Sequence, residues 1–344
     1  DWQTALVPVY LKTIYQYEPF FSKTKVLFSI HNLAYQGTFS KEEFPKTGLD
    51  WSLFSIDHFE FYGKANLMKA GIIYSDAINT VSPTYAKEIL TKEFGCGLEG
   101  VLRTRKEALF GILNGIDYSV WNPQVDEKIF KKYSPSNIED KYVNKELLQK
   151  EAGLKPDRSI PLFGLISRLA DQKGVDLLAK KIDNLLSLKT QLLLLGTGEN
   201  KYHILFERIA KSHPQSASIN LKFDAVLAQK IYAGCDMFLI PSRYEPCCLS
   251  QMISFKYGTI PIVRQTGGLK DSVKEFDPRT GRGNGFTFVE PAPEEFFKAI
   301  KKALSVYKDK KLWMKLVKSV TGLDFSWESS AKEYIKLYNK IIGE

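Results

Sequence analysis

The sequence predicts an α/β protein built on two parallel sheets, and three observations carry that expectation. Short apolar runs bounded by Gly, Pro or polar residues recur at 26–30, 77–81, 109–113, 162–166, 192–195, 219–223, 237–240, 260–263 and 285–288. Helical periodicities lie between them, at 83–92, 175–188, 200–212, 225–233 and 293–307. Strands apolar on both faces that alternate with helices are the signature of parallel sheets covered on both sides. The third observation is size: 344 residues suffice for two domains, each with its own core.

The first set of strands ends before a stretch at 118–160 rich in Lys, Asp, Asn and Pro, which holds one predicted helix at 143–152. Pro83 stands at a first-turn position, where its missing N–H costs nothing. Near the end, Trp327, Ala331, Tyr334, Ile335, Tyr338 and Ile341 fall on one face of a helix over 327–342. That helix is expected to dock back on the first domain. The expected domains are therefore 1–113 plus 325–344, and 114–324.

Composition excludes several classes. The net charge of +9 comes from 39 Lys and 9 Arg against 39 acidic residues. The densest basic stretch, 298–318, alternates with Phe297, Ile300, Leu304 and Leu312 at helical spacing and reads as a solvated face. No nucleic-acid motif accompanies it, and no apolar run approaches the ~20 residues of a membrane helix. Cys96, Cys235, Cys247 and Cys248 lack metal-site spacing and suit a reducing compartment, and the four histidines are equally scattered, so no metal is expected. The chain opens on Asp1 without Met or a signal-like segment and reads as a truncation.

The chemistry concentrates where strands end. SRLADQKG at 167–174 follows a buried strand and offers Arg168 and Lys173, a guanidinium and an ammonium suited to a diphosphate. The competing reading pairs Arg168 with an acid such as Asp171. SRYEPCCLSQ at 242–251 follows a second strand and supplies Glu245, whose carboxylate would accept hydrogen bonds from sugar hydroxyls. A helix expected to begin near Cys247 would leave free N–H groups at Cys248 and Leu249. Thr266, Gly267 and Gly268 open another helix where a phosphate or sugar would approach the backbone. Gly196 and Gly198 lack the third glycine of a dinucleotide fingerprint, so no nicotinamide is expected. His31 and Asn114 also follow strands, and Phe223 ends one, either packed in the core or stacked on a base.

With SRLADQKG, PSRYEPCCLSQ, TGGL, HNLAYQG at 31–37 and ILNGID at 112–117 in order, the chain resembles bacterial glycogen synthases and plant starch synthases over essentially its full length. The resemblance implies a GT-B fold, two Rossmann-like parallel-sheet domains facing a cleft, the first incomplete. It implies transfer of an α-glucosyl unit from ADP-glucose to the non-reducing end of an α-1,4-glucan (glycogen or starch), with retention and without a cofactor or metal. Arg168 and Lys173 would then hold the diphosphate, while Glu245 and the backbone of Cys247, Cys248 and Leu249 hold the glucose. Asn114, His31 and Asp1 would also contact the sugar, the last as part of a His-Asp-Trp motif, and Phe223 would stack on adenine. Nucleic acid and membrane are not expected partners, and the implied location is the bacterial cytoplasm, or a plastid in a plant.

Two departures from the family pattern stand out. Cys248 occupies the Gly position of the Glu-Pro-Cys-Gly-Leu motif, and a Lys-x-Gly-Gly-Leu loop would precede Asp1. Ile253, not a second Glu, stands eight residues after Glu245, which favours the glycogen and starch synthase branch. Two alternatives stay open: another GT-B transferase using a UDP- or GDP-sugar, and a non-catalytic glucan-binding homologue.

Overall fold

The computed structural model describes residues 1–343 and divides into two compact units, one formed by 1–114 and the segment from 328, the other by 115–327. In the first unit β1 (Leu27–Ile30), β5 (Ala77–Thr80) and β6 (Leu109–Gly111) form a parallel sheet in the order β1-β5-β6. All four residues of β5 are buried, as befits a central strand. Phe28, Ile30, Met68, Ile72, Ile78 and Tyr85 form its core. The helix Leu67–Tyr74 is capped by Asn66, and Pro83–Glu88 by Ser82, each cap accepting from a backbone N–H.

An antiparallel sheet in the order β2 (Thr38–Ser40), β4 (Lys64–Asn66), β3 (Glu60–Phe61) was not foreseen. Its strands are two or three residues long, too short for any apolar periodicity. The helix Trp327–Ile342 belongs, from Glu328, to this unit: Ser330 donates to the Leu113 carbonyl at 2.7 Å and Asn79 donates to the Tyr334 hydroxyl at 3.0 Å. Its buried positions are Ser330 and Leu337, however, whereas Trp327, Ile335 and Tyr338 are about half exposed. The face chosen from hydrophobicity is thus docked only in part: Tyr334 reaches the sheet, whereas Ala331, Ile335 and Tyr338 are exposed.

The second unit holds six parallel strands in the order β12-β11-β10-β7-β8-β9: β7 (Leu162–Ile166), β8 (Gln191–Leu195), β9 (Ala217–Asn220), β10 (Met237–Ile240), β11 (Ile260–Arg264) and β12 (Phe286–Phe288). The chain builds outward from β7 to β9, then returns to β7's other side as β10, so strand order reverses between β7 and β10. Such a switch point opens a crevice beyond the carboxyl ends of the strands, where α/β sheets bind ligands. The predicted helix over 175–188 is two helices, Val175–Ala179 and Ile182–Ser187. The strand placed at 219–223 is Ala217–Asn220, and Phe223 lies beyond it in a loop. Among the described residues no helix is long and apolar enough to cross a membrane.

Candidate donor site at the ends of two central strands

The loop after β7 carries Arg168 and turns back through Asp171–Lys173 into Gly174. Gly174 has φ of +63°, and a Cβ there would lie 2.0 Å from the Pro241 carbonyl oxygen beyond β10. Only glycine allows this loop to lie on the neighbouring strand end. The contact brings Lys173 Nζ within 2.6 Å of Glu245 Oε2. Both groups are largely buried, with side chains 21% and 8% exposed. Burial alone would pull the Lys173 ammonium down, but the Glu245 carboxylate outweighs it and holds the group above its ordinary value. The second carboxylate oxygen, Oε1, has no hydrogen-bond partner among the described residues, and an ammonium has three donors, so both residues keep hydrogen-bonding capacity.

Arg168 is exposed, and among the described residues its only side-chain bond runs from Nη2 to Gln172 Oε1 at 3.3 Å. The competing reading, in which Asp171 pairs with it, does not hold, because Asp171 is taken by Lys201 at 2.7 Å and by the Tyr202 hydroxyl. Arg168 therefore stands as an uncompensated cation beside a compensated one. Arg243, which the sequence reading passed over, ties the two loops together. Its guanidinium grips Asp176 with bonds of 2.6 and 2.9 Å and the Asp171 carbonyl at 3.0 Å, while its backbone N–H donates to the Gln172 carbonyl at 2.8 Å.

The expected helix start at Cys247 is also corrected. The helix runs over Ser250–Lys256, so Cys248 and Leu249 precede it, and Cys248 has φ of +59°. Cys247 is buried, Leu249 is exposed, and burial followed by the nearby Glu245 charge pushes the Cys248 thiol up to about 11. Gln251 is fully buried and fixes this turn, its amide donating to the carbonyls of Cys247 and Cys248 at 3.3 and 2.9 Å and to Ser272 Oγ at 3.0 Å. Thr266, Gly267 and Gly268 are buried too. The close approach their glycines permit is to protein: a Cβ on Gly267 would meet the Glu245 carbonyl oxygen at 1.9 Å, and one on Gly268 the Cys247 oxygen at 2.3 Å. They brace the Glu245 loop.

Phe223 is 88% exposed, which removes the core-packing reading. It lines a largely apolar cavity of about 690 Å³ with Trp121, Arg168, Thr197, Gly198 and Tyr232. The glycines at 196 and 198 serve packing, their Cβ positions lying within 2.0 and 2.2 Å of the carbonyl oxygens of Ser167 and Leu169. In the first unit, Asp1 Oδ1 accepts from the His31 N–H at 2.8 Å, so these two expected residues adjoin. His31 is held below its ordinary value by partial desolvation. Asn114 Oδ1 is buried without a hydrogen-bond partner.

Comparison with known proteins bears on this arrangement. Residues 1–104 match the family model for the starch synthase catalytic domain, and 145–318 that for glycosyl transferases group 1. The chain is 56% identical to a glycogen synthase of Fervidobacterium nodosum, over 99% of this chain and 70% of that protein. It is 50% identical to a glycogen synthase of Thermotoga maritima, over 100% of this chain and 71% of the relative. The catalytic domain of starch synthase IV from Arabidopsis thaliana, solved bound to ADP and acarbose, superposes with a TM-score of 0.93 at 40% identity, covering 100% of this chain and 72% of that one. A sucrose-phosphate synthase from Thermosynechococcus elongatus shares the fold at 16% identity and a TM-score of 0.63, over 99% of this chain and 72% of that one.

Proposed function

The chain belongs to the glycogen and starch synthase family, and from that membership we propose that the loops ending β7 and β10 bind the donor of its reaction. The protein is a retaining glycosyltransferase of the GT-B class that moves an α-glucosyl unit from ADP-glucose to the non-reducing end of an α-1,4-glucan. The observation that carries the site assignment is the 2.6 Å contact of Lys173 with Glu245 beside the unpaired Arg168. Lys173 spans both halves of the donor: its remaining N–H groups reach the diphosphate while its partner carboxylate accepts from glucose hydroxyls.

As the sugar–phosphate bond breaks, negative charge grows on the departing diphosphate. A unit cation about 4 Å from a unit anion contributes ~4 kcal/mol at an effective dielectric near 20, so Arg168 and Lys173 together supply the stabilisation a divalent metal would otherwise give. Both are held in place beforehand, Lys173 by Glu245 and the loop by Arg243. Phe223 offers a face for adenine at the mouth of its apolar cavity. For Asp1, His31 and Asn114 a sugar-contacting role is supported by family membership, and for Asn114 also by its unsatisfied buried oxygen. Gly267 and Gly268 act indirectly, by holding Glu245. The bacterial relatives support a cytoplasmic location.

Arg168→Ala tests the assignment, since Arg168 holds up no other part of the fold. Incorporation of labelled glucose into glycogen should fall roughly 10²–10³-fold, the scale of losing one preorganised electrostatic donor. Near-normal incorporation would refute the clamp. Release of diphosphate from UDP- or GDP-glucose as readily as from ADP-glucose would refute the donor assignment.

A further inference from the structure

Two hydroxyls at the carboxyl ends of β7 and β10 are buried without a hydrogen-bond partner: Ser167 Oγ and Ser242 Oγ. Ser242 is 1% exposed. Natural folds satisfy nearly all such groups, and the exceptions call for a specific reason. A serine hydroxyl has ready local outlets in its own backbone, yet neither of these takes one. The two residues follow the ends of neighbouring strands, since β10 pairs with β7 in the register Met237↔Phe163. Both line one cavity of about 170 Å³ together with Arg168, Lys173, Cys248 and Ser250, over a floor that includes Leu165, Leu239 and Pro241.

This cavity thus has two cationic residues and the two serines among its lining residues. Water would engage the hydroxyls but leave the Arg168 charge uncompensated. A phosphate group satisfies both, because it carries negative charge and several acceptor oxygens pointing in different directions.

We propose that Ser167 and Ser242 donate hydrogen bonds to the phosphate bonded to glucose in the donor, the one that becomes the terminal phosphate of the released ADP. The inference rests on the reading of Arg168 and Lys173 as the diphosphate clamp and adds two neutral donors to it from just past the strand ends. These donors discriminate between a nucleoside diphosphate and a monophosphate, which lacks the group they hold.

The test is calorimetric titration of the full chain and of its Ser167→Ala and Ser242→Ala variants with ADP and with AMP. Each variant should lose about tenfold in ADP affinity, the scale of one hydrogen bond to a charged acceptor, while AMP affinity stays within about twofold. Thermal unfolding without ligand should show unchanged or raised Tm, because each substitution removes an unsatisfied buried group. Parental ADP affinity in both variants overturns the proposal and leaves the clamp standing. A lowered Tm with equal losses for ADP and AMP overturns it in favour of a structural role. A parent chain that binds ADP no better than AMP overturns the clamp and this inference together.

Discussion

Cys248 has φ of +59°, a left-handed conformation that costs a residue with a Cβ about 1–2 kcal/mol relative to its right-handed alternative. Comparing Cys248→Gly with Cys248→Ala isolates that cost, since both lose the thiol and its contacts and only the alanine keeps a Cβ. At ordinary positions alanine is the more stable of such a pair by about 0.4–1 kcal/mol, because glycine gains more freedom on unfolding. Here the relief of strain should exceed that term and reverse the order, leaving the glycine variant more stable by about 0.5–1 kcal/mol. Urea unfolding followed by fluorescence, read as the difference in midpoint at equal slope, measures it. An alanine variant as stable as the glycine variant, or more so, would sink the reasoning. The thiol, pushed up to about 11, is neutral at pH 7, so neither variant changes the charge beside Lys173.

Two further outcomes follow from buried groups. Lys141 donates to the carbonyls of Tyr232 and Ala233 and to Thr259 Oγ1, and burial, opposed by Asp236, draws its ammonium down to about 7. Between about pH 7 and 10.5 the unfolded chain therefore binds the proton that the folded one has released. Lys141 should thus add a positive slope to stability over that window, at most about 1.4 kcal/mol per pH unit. Lys141→Met should lack it, and identical slopes in urea titrations of the two proteins would contradict the assignment. Gln251→Leu removes the amide that holds the Cys247 and Cys248 carbonyls and should weaken ADP binding about tenfold by calorimetry. Unchanged affinity would mean that the turn holds its shape without this residue.

The sequence made the strands and the cationic loops legible because both signals are local. An apolar run such as Leu162–Ile166 announces a buried strand, and charged residues just past it lie at a sheet's ligand-binding edge whatever the details of the fold. Features set by tertiary contact stayed hidden. The fate of Arg168 depended on Asp171, and nothing in the spacing showed that Lys201 and Tyr202, some thirty residues away, would claim that carboxylate. The rotation of the C-terminal helix was only partly legible, because Ser330, a polar residue, makes one of its bonds to this unit and Tyr334 another. Phe223 and Phe28 are alike as residue types, yet one is 88% exposed and the other 3%. Only the position past the end of β9 separates them.

The strand β10 shows why the same residue chemistry is inert at one place and useful at another. Asp236 directly precedes it and meets Lys145 at 2.7 Å, with side chains 4% and 1% exposed; Glu245 follows it and meets Lys173 at 2.6 Å. The first pair is sealed by burial, Asp236 also accepting from the Leu162 N–H and Lys145 also donating to the Arg158 carbonyl and the Tyr307 hydroxyl, so neither group is open to a ligand. The second pair lies at the switch point between β7 and β10, where the sheet ends in loops, and its carboxylate keeps Oε1 unengaged. A buried ion pair of the first kind adds little net stability but is costly to break on one side. The second is preorganised in the same way, by a short contact, yet its lysine lines a cavity together with Arg168, Ser167 and Ser242. Parallel topology explains the asymmetry: crossover helices cover both faces of the sheet, so the carboxyl edge is where charges can be fixed by the fold and still meet a substrate.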